Sequence, residues 1–166
     1  MIVKEIMTQN PITVSVHAKV REAAGLLKKN HIGGLPVMDG ETLAGIVTES
    51  DIISLLETGK ISDDLWLPSP LEIIEVPIRE FINWEKTKSA LSNIGDTEVR
   101  TVMSTPVVTI DEDRDIEEAA ALMLSEGIAR LPVVRGTRLV GIVTRADIVQ
   151  GVGSGFDAES SKEKSV

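Results

Sequence analysis

Apolar and polar positions along the chain alternate between two registers. Pro11-Ile12-Thr13-Val14, Leu35–Met38 and Leu43–Val47 are short β-rich runs of strand length. Between the first and second of them, Val20, Ala23, Ala24 and Leu27 recur at three-and-four spacing, which predicts an amphipathic helix. Gly40 marks a tight turn between the last two strands, and a second helix is predicted from Thr48. The order β-α-β-β-α then returns. Pro106–Ile110 reads as a strand, and Ile116, Ala119, Ala120 and Met123 as a helix face. Leu131–Val134 and Leu139–Val143 read as paired strands around Gly136, with a helix from Thr144. Asp115 stands three before Glu118, the capping-box spacing, whereas Lys19 holds that place in the first copy and has no acceptor to offer.

The two patterns superpose at an offset of 96 positions. Glu22-Ala23-Ala24 falls on Glu118-Ala119-Ala120, Leu35-Pro36-Val37 on Leu131-Pro132-Val133, Gly45-Ile46-Val47-Thr48 on Gly141-Ile142-Val143-Thr144, and Asp51-Ile52 on Asp147-Ile148. The register slips by one residue only near Pro11 and Pro106. The chain therefore reads as repeat one over 1–57, an inserted segment over 58–98, repeat two over 99–152, and a disordered Gly/Ser-rich tail over 153–166. The insertion holds Trp66, Phe81 and Trp84, three of the four aromatics. It is too apolar for a solvated linker, and a short helix is expected from an Asn83 cap to about Asn93, stopped by Gly95.

Composition narrows the function classes. The chain has 166 residues, 17 basic and 26 acidic side chains, a net charge of −9 and no cysteine. Disulfides, thiolate catalysis and cysteine-bound zinc are excluded. Nucleic acid is held by clustered Lys and Arg or by stacked aromatics, so an acidic chain with so few aromatics is expected not to bind it. No signal peptide or membrane-spanning run is visible, so a cytoplasmic protein is the expectation. His17 and His31, the only histidines, have no second ligand at metal spacing, so no metal site is expected. No Ser-His-Asp order, Walker pattern or dinucleotide fingerprint occurs, and no catalytic residue is assigned: the chain is expected not to be an enzyme.

Thr48-x-x-Asp51 and Thr144-x-x-Asp147 open the second helix of each repeat. Unpaired N–H groups at a helix start favour an anion, a Thr hydroxyl adds a donor, and a carboxylate can accept both hydroxyls of a ribose. The same spacing is a helix cap, and the two roles can coexist. Repeat two carries Arg130 where repeat one has Gly34, and Arg145 where repeat one has Glu49. Arginine suits phosphate oxygens and a glutamate repels them, so the site of Thr144, Arg145 and Asp147 is expected to take phosphorylated ligands better.

The combination Met-Thr-x-x-Pro-Ile (Met-Ser-x-Pro-Val in the second copy), followed in both copies by Glu-Ala-Ala, Leu-Pro-Val and Gly-Ile-Val-Thr-x-x-Asp, resembles the CBS domain pair, or Bateman module. The resemblance implies an α/β (α+β) fold of two tandem repeats packed as a pseudo-twofold pair, free-standing here, and a homodimer. It implies no required cofactor but an adenosine-bearing ligand (AMP, ADP, ATP or an S-adenosyl compound) in the clefts between repeats. By that resemblance Ile46 and Ile142 line the adenine pockets. Thr8, Ile12 and Thr13 face Asp147, while Ser104, Val107 and Val108 face Asp51. Such modules regulate a separate partner, whose identity the resemblance does not supply. A structural dimerisation or scaffold module with empty clefts is the alternative reading, favoured at one site by Gly34 and Glu49.

Overall fold

The computed structural model describes residues 1–57 and 84–163. In chain order its elements are α1 (Val3–Ile6), β1 (Thr8–Gln9), β2 (Val14–Ser15), α2 (Val20–Asn30), β3 (Gly34–Asp39), β4 (Thr42–Thr48) and α3 (Glu49–Glu57). There follow α4 (Trp84–Gly95), a 3-10 turn (Val99–Thr101), β5 (Ile110–Asp111), α5 (Ile116–Ser125), β6 (Arg130–Arg135), β7 (Arg138–Thr144) and α6 (Arg145–Glu163). The two predicted β-α-β-β-α repeats are β2-α2-β3-β4-α3 and β5-α5-β6-β7-α6.

The leading strand of each repeat is shorter than the sequence suggests. Pairing is confined to Val14–Ser15 and to Ile110–Asp111, the latter parallel to Val133 and Val134. Pro11 and Pro106 cannot donate to a ladder, and the residues after them join no strand. At the other end, α6 runs to Glu163, past the boundary placed at 152/153 and into the segment expected to be a disordered tail. Glycine in a helix costs only about 1 kcal/mol against alanine and does not stop it. Gly151 is buried, and a Cβ there would lie 3.0 Å from Ile6 Cγ2, so this glycine lets α1 approach α6. In the insertion, α4 ends at Gly95 as expected; Asn83 and the segment 58–83 lie outside the described residues.

The chain forms two compact units that do not follow the sequence halves. One joins Met1–Thr13 and Met38–Ala44 to the chain from Pro106 on; we call it the Asp147 unit. The other joins Val14–Val37 to Gly45–Thr105 and is the Asp51 unit. Each repeat thus takes the segment preceding the other. The exchange follows the 96-residue offset bond by bond. In the Asp147 unit, Val3 N–H donates to the Arg114 carbonyl at 2.8 Å and Lys4 N–H to that of Glu112 at 2.9 Å. In the Asp51 unit, Val99 N–H donates to the Ala18 carbonyl at 2.9 Å and Arg100 N–H to that of Val16 at 3.2 Å.

These segments also start the helices. Ile116 N–H donates to the Met1 carbonyl at 3.2 Å, and Val20 N–H to the Thr97 carbonyl at 2.8 Å, so backbone from elsewhere satisfies the first orphan donor of α5 and of α2. The capping box expected from Asp115 does not form: its side chain makes no cap hydrogen bond, and its backbone is bridged to Ile2 of the borrowed segment.

The Asp147 unit holds a four-stranded sheet in the order β1-β7-β6-β5. Val3 is fully buried with Ile110, Ala119, Met123, Leu131, Val133, Val143 and Ile148. In the Asp51 unit, Val99 is fully buried in the same way, along with Val20, Ala23, Leu35, Val37 and Val47. Burying such a side chain contributes roughly 1.5–3 kcal/mol, so each borrowed segment is held by its valine as well as by its backbone.

Candidate functional site

The second helix of each repeat begins where its last strand ends, and a Thr-Asp box joins the two. Thr144 N–H and Oγ1–H both donate to Asp147 Oδ2 at 2.7 Å, and Asp147 N–H donates back to Thr144 Oγ1 at 3.3 Å. Thr48 and Asp51 repeat the arrangement at 2.7, 3.0 and 3.3 Å. Each box is therefore a true cap. Capping engages only Oδ2 and leaves the half-buried carboxylate its second oxygen.

That second oxygen distinguishes the two boxes. Asp51 Oδ1 accepts a hydrogen bond from Ser104 Oγ at 3.1 Å. Thr8, which stands 96 positions before Ser104, makes no side-chain hydrogen bond among the described residues, and Asp147 Oδ1 has no partner there. The backbone around the two positions differs as well. Ser104 meets Ile46 in an isolated bridge, whereas Thr8 and Gln9 form a strand against Ile142 and Gly141 of β7. The pairing extends to Asn10, whose N–H donates to the Val140 carbonyl at 3.2 Å and whose φ is 48°. Asn10 is the one-residue slip in the repeat; asparagine tolerates the left-handed conformation better than most residues.

Gly45 and Gly141 sit where these borrowed segments cross. A Cβ on Gly45 would lie 2.8 Å from the Ser104 carbonyl oxygen, and one on Gly141 3.0 Å from that of Thr8. These glycines permit the close backbone approach.

The expected site residues divide between the units. Thr8, Arg130, Ile142, Thr144, Arg145 and Asp147 belong to the Asp147 unit, and Ile46, Thr48, Asp51 and Ser104 to the other. Arg130 lies on β6 directly across from Thr144 and is half-buried. Arg145 is exposed, with Nε donating to the Ile128 carbonyl at 3.1 Å. Ile12 is 39% exposed and Thr13 is exposed. Val107 and Val108 are half-buried within the Asp147 unit, where Val108 packs on the core of Ile110, Met123 and Val143.

Charge elsewhere in the Asp147 unit is also asymmetric. Glu112 is 6% exposed and pairs with Arg135 through two hydrogen bonds, Nε to Oε1 and Nη2 to Oε2, the latter at 3.0 Å. The Arg135 guanidinium holds the Glu112 carboxyl below its ordinary range against the opposing effect of burial. The matching residues of repeat one are Val16 and Asp39, which cannot make this pair. Among the described residues no cluster of three or more His, Asp or Glu could hold a metal, and no helix is long and apolar enough to cross a membrane.

Two tandem β-α-β-β-α repeats, each passing from its last strand into a Thr-x-x-Asp helix cap, define a duplicated α+β module. The CBS domain family model matches residues 3–58 and 99–154, and the chain belongs to that family. It is 39% identical over 155 residues to the uncharacterized protein MJ1426 of Methanocaldococcus jannaschii, covering 92% of this chain and 91% of that one. It is 34% identical to the uncharacterized protein MJ1404 of the same organism, covering 89% of this chain but only 31% of that longer one. Among solved structures, CBSX2 in complex with AMP matches with a TM-score of 0.65 and 25% identity, over 92% of this chain and 96% of that one.

Proposed function

We propose that the protein is a regulatory module that binds an adenosine-bearing ligand at the Thr144–Asp147 box and passes the bound state to a separate partner. The observation that carries this reading is the Asp147 carboxylate, whose Oδ2 is fixed by the helix cap while Oδ1 is left without a partner among the described residues. A carboxylate offers about four acceptor positions, of which the cap uses two. The remaining two match the two hydroxyl donors of a ribose. Ile142 offers an aliphatic surface for a base, Thr8 flanks it across the strand pair, and Arg130 stands across from Thr144 to meet a phosphate. The AMP bound to CBSX2 supports the adenosyl class.

The reading assigns no catalytic step, since neither box supplies an activated nucleophile. Signalling requires that the ligand bind two states of the module unequally. Ile53, Leu124 and Val149 are 55%, 76% and 72% exposed on α3, α5 and α6, the apolar helix faces on which a homodimer would form. A scaffold whose sites stay empty is the competing reading, and Glu49, next to Thr48, favours it at the Asp51 box.

Thermal unfolding against AMP, ADP, ATP, S-adenosylmethionine, methylthioadenosine and GTP tests the proposal. A ligand at a hundred times its dissociation constant adds about 2.7 kcal/mol and raises the midpoint by a few degrees. A rise confined to adenosyl ligands and lost in Asp147→Ala supports sensing. No rise with any of them supports the scaffold.

A further inference from the structure

We propose that Ser104 acts as an internal occupant of the Asp51 box, holding the acceptor that a ribose needs, so that the protein takes one adenosyl ligand per chain rather than two. The inference rests on the adenosyl reading above and extends it to stoichiometry. Asp51 Oδ2 accepts from Thr48 N–H and Oγ1–H, and Oδ1 accepts from Ser104 Oγ at 3.1 Å. Three of about four acceptor positions are then filled, and one is left for a diol that brings two donors. At Asp147 the same count leaves two.

The competitor is held in place by backbone. Ser104 N–H donates to the Ile46 carbonyl at 2.8 Å, and Ile46 N–H returns a bond to Ser104 at 3.2 Å. With Gly45 closing on the Ser104 carbonyl from the next residue, the main chain cannot withdraw without breaking that bridge. Rotation of the hydroxyl alone would release Oδ1, at the cost of a hydrogen bond to a charged acceptor. Ser104 therefore lowers the affinity of the Asp51 box for a ribose without closing it sterically. Removing the hydroxyl should raise that affinity roughly tenfold, which corresponds to about 1.4 kcal/mol.

Counting bound AMP per chain by calorimetry tests this on the full-length protein. Wild type should bind one equivalent, lost in Asp147→Ala and kept in Asp51→Ala. Ser104→Ala should bind a second equivalent, which the added Asp51→Ala change removes, while Ser104→Thr, which keeps a hydroxyl, should stay at one. Circular dichroism and the melting midpoint establish that each variant is folded. Two equal equivalents in wild type, or a single one in a folded Ser104→Ala, overturn the role of Ser104 and leave the adenosyl reading standing. No AMP bound by either wild type or Ser104→Ala overturns the inference, and a panel in which no other adenosyl ligand binds overturns the reading with it.

Discussion

Asp51 and Asp147 occupy the same place in two copies of one element, with nearly identical caps, yet one carboxylate is engaged on both oxygens and the other on one. The difference does not come from the motif. It comes from a residue outside each repeat, contributed by the segment that precedes the other copy: Ser104 in one case and Thr8 in the other. Duplicated motifs can thus diverge in use while remaining unchanged themselves.

The sharpest way to break the comparison is to remove each carboxylate. Asp147→Ala should lower AMP affinity by about a hundredfold, the loss of two hydrogen bonds to a charged acceptor, while Asp51→Ala leaves the first equivalent within about twofold of wild type. Equal losses in calorimetric titration would make the two boxes equivalent. Next in size is the pair of borrowed valines. Val3→Ala and Val99→Ala each remove a fully buried branched side chain, and each should cost about 2 kcal/mol in urea unfolding. A markedly smaller cost for Val3 would mean that the leading segment is less essential to the Asp147 unit than its counterpart is to the other.

A smaller effect separates the two arginines. Arg130→Ala should weaken AMP about tenfold and leave adenosine unchanged, as expected of a charged bond to phosphate. Arg145→Ala, whose Nε is already bonded to Ile128, should change neither by more than about threefold. Competition assays with AMP and adenosine check both.

The last test uses acid. The Glu112 pKa is lowered in the folded state by Arg135, so the pair contributes stability above the ordinary glutamate range, and that contribution is lost as pH falls through the depressed folded value. Arg135→Ala should therefore destabilise the protein at neutral pH and flatten its acid limb in melting curves between pH 7 and 3.

Much of this was legible in the sequence. The offset of 96 identified the repeats, and the Thr-x-x-Asp spacing located both helix starts. What escaped was non-local. Val3–Ile6 is one helical turn, too short for periodicity to reveal a core residue, so the exchange of leading segments has no sequence signal of its own. Asp115 has the residue type and spacing of a cap, but its side chain makes no cap bond, while the Met1 carbonyl takes the Ile116 amide. Thr8 and Ser104 are both hydroxyl residues at matched positions, and only the strand around one and the bridge around the other distinguish them. The slip at Asn10 marked the place where the copies part but not what the parting does.

The interlaced segments have a consequence for how the chain is made. Proteins emerge from the ribosome N-terminus first, at about 5–20 residues per second. When the first repeat has left the exit tunnel it still lacks Val99 and the carbonyl of Thr97, which its core and its first long helix require. The leading thirteen residues, already synthesised, await a repeat that does not yet exist. A nascent chain stalled at the boundary between the repeats would hold a gap where Val99 belongs and a spare N-terminal segment matched to a different place, so the first half becomes complete only during translation of the second.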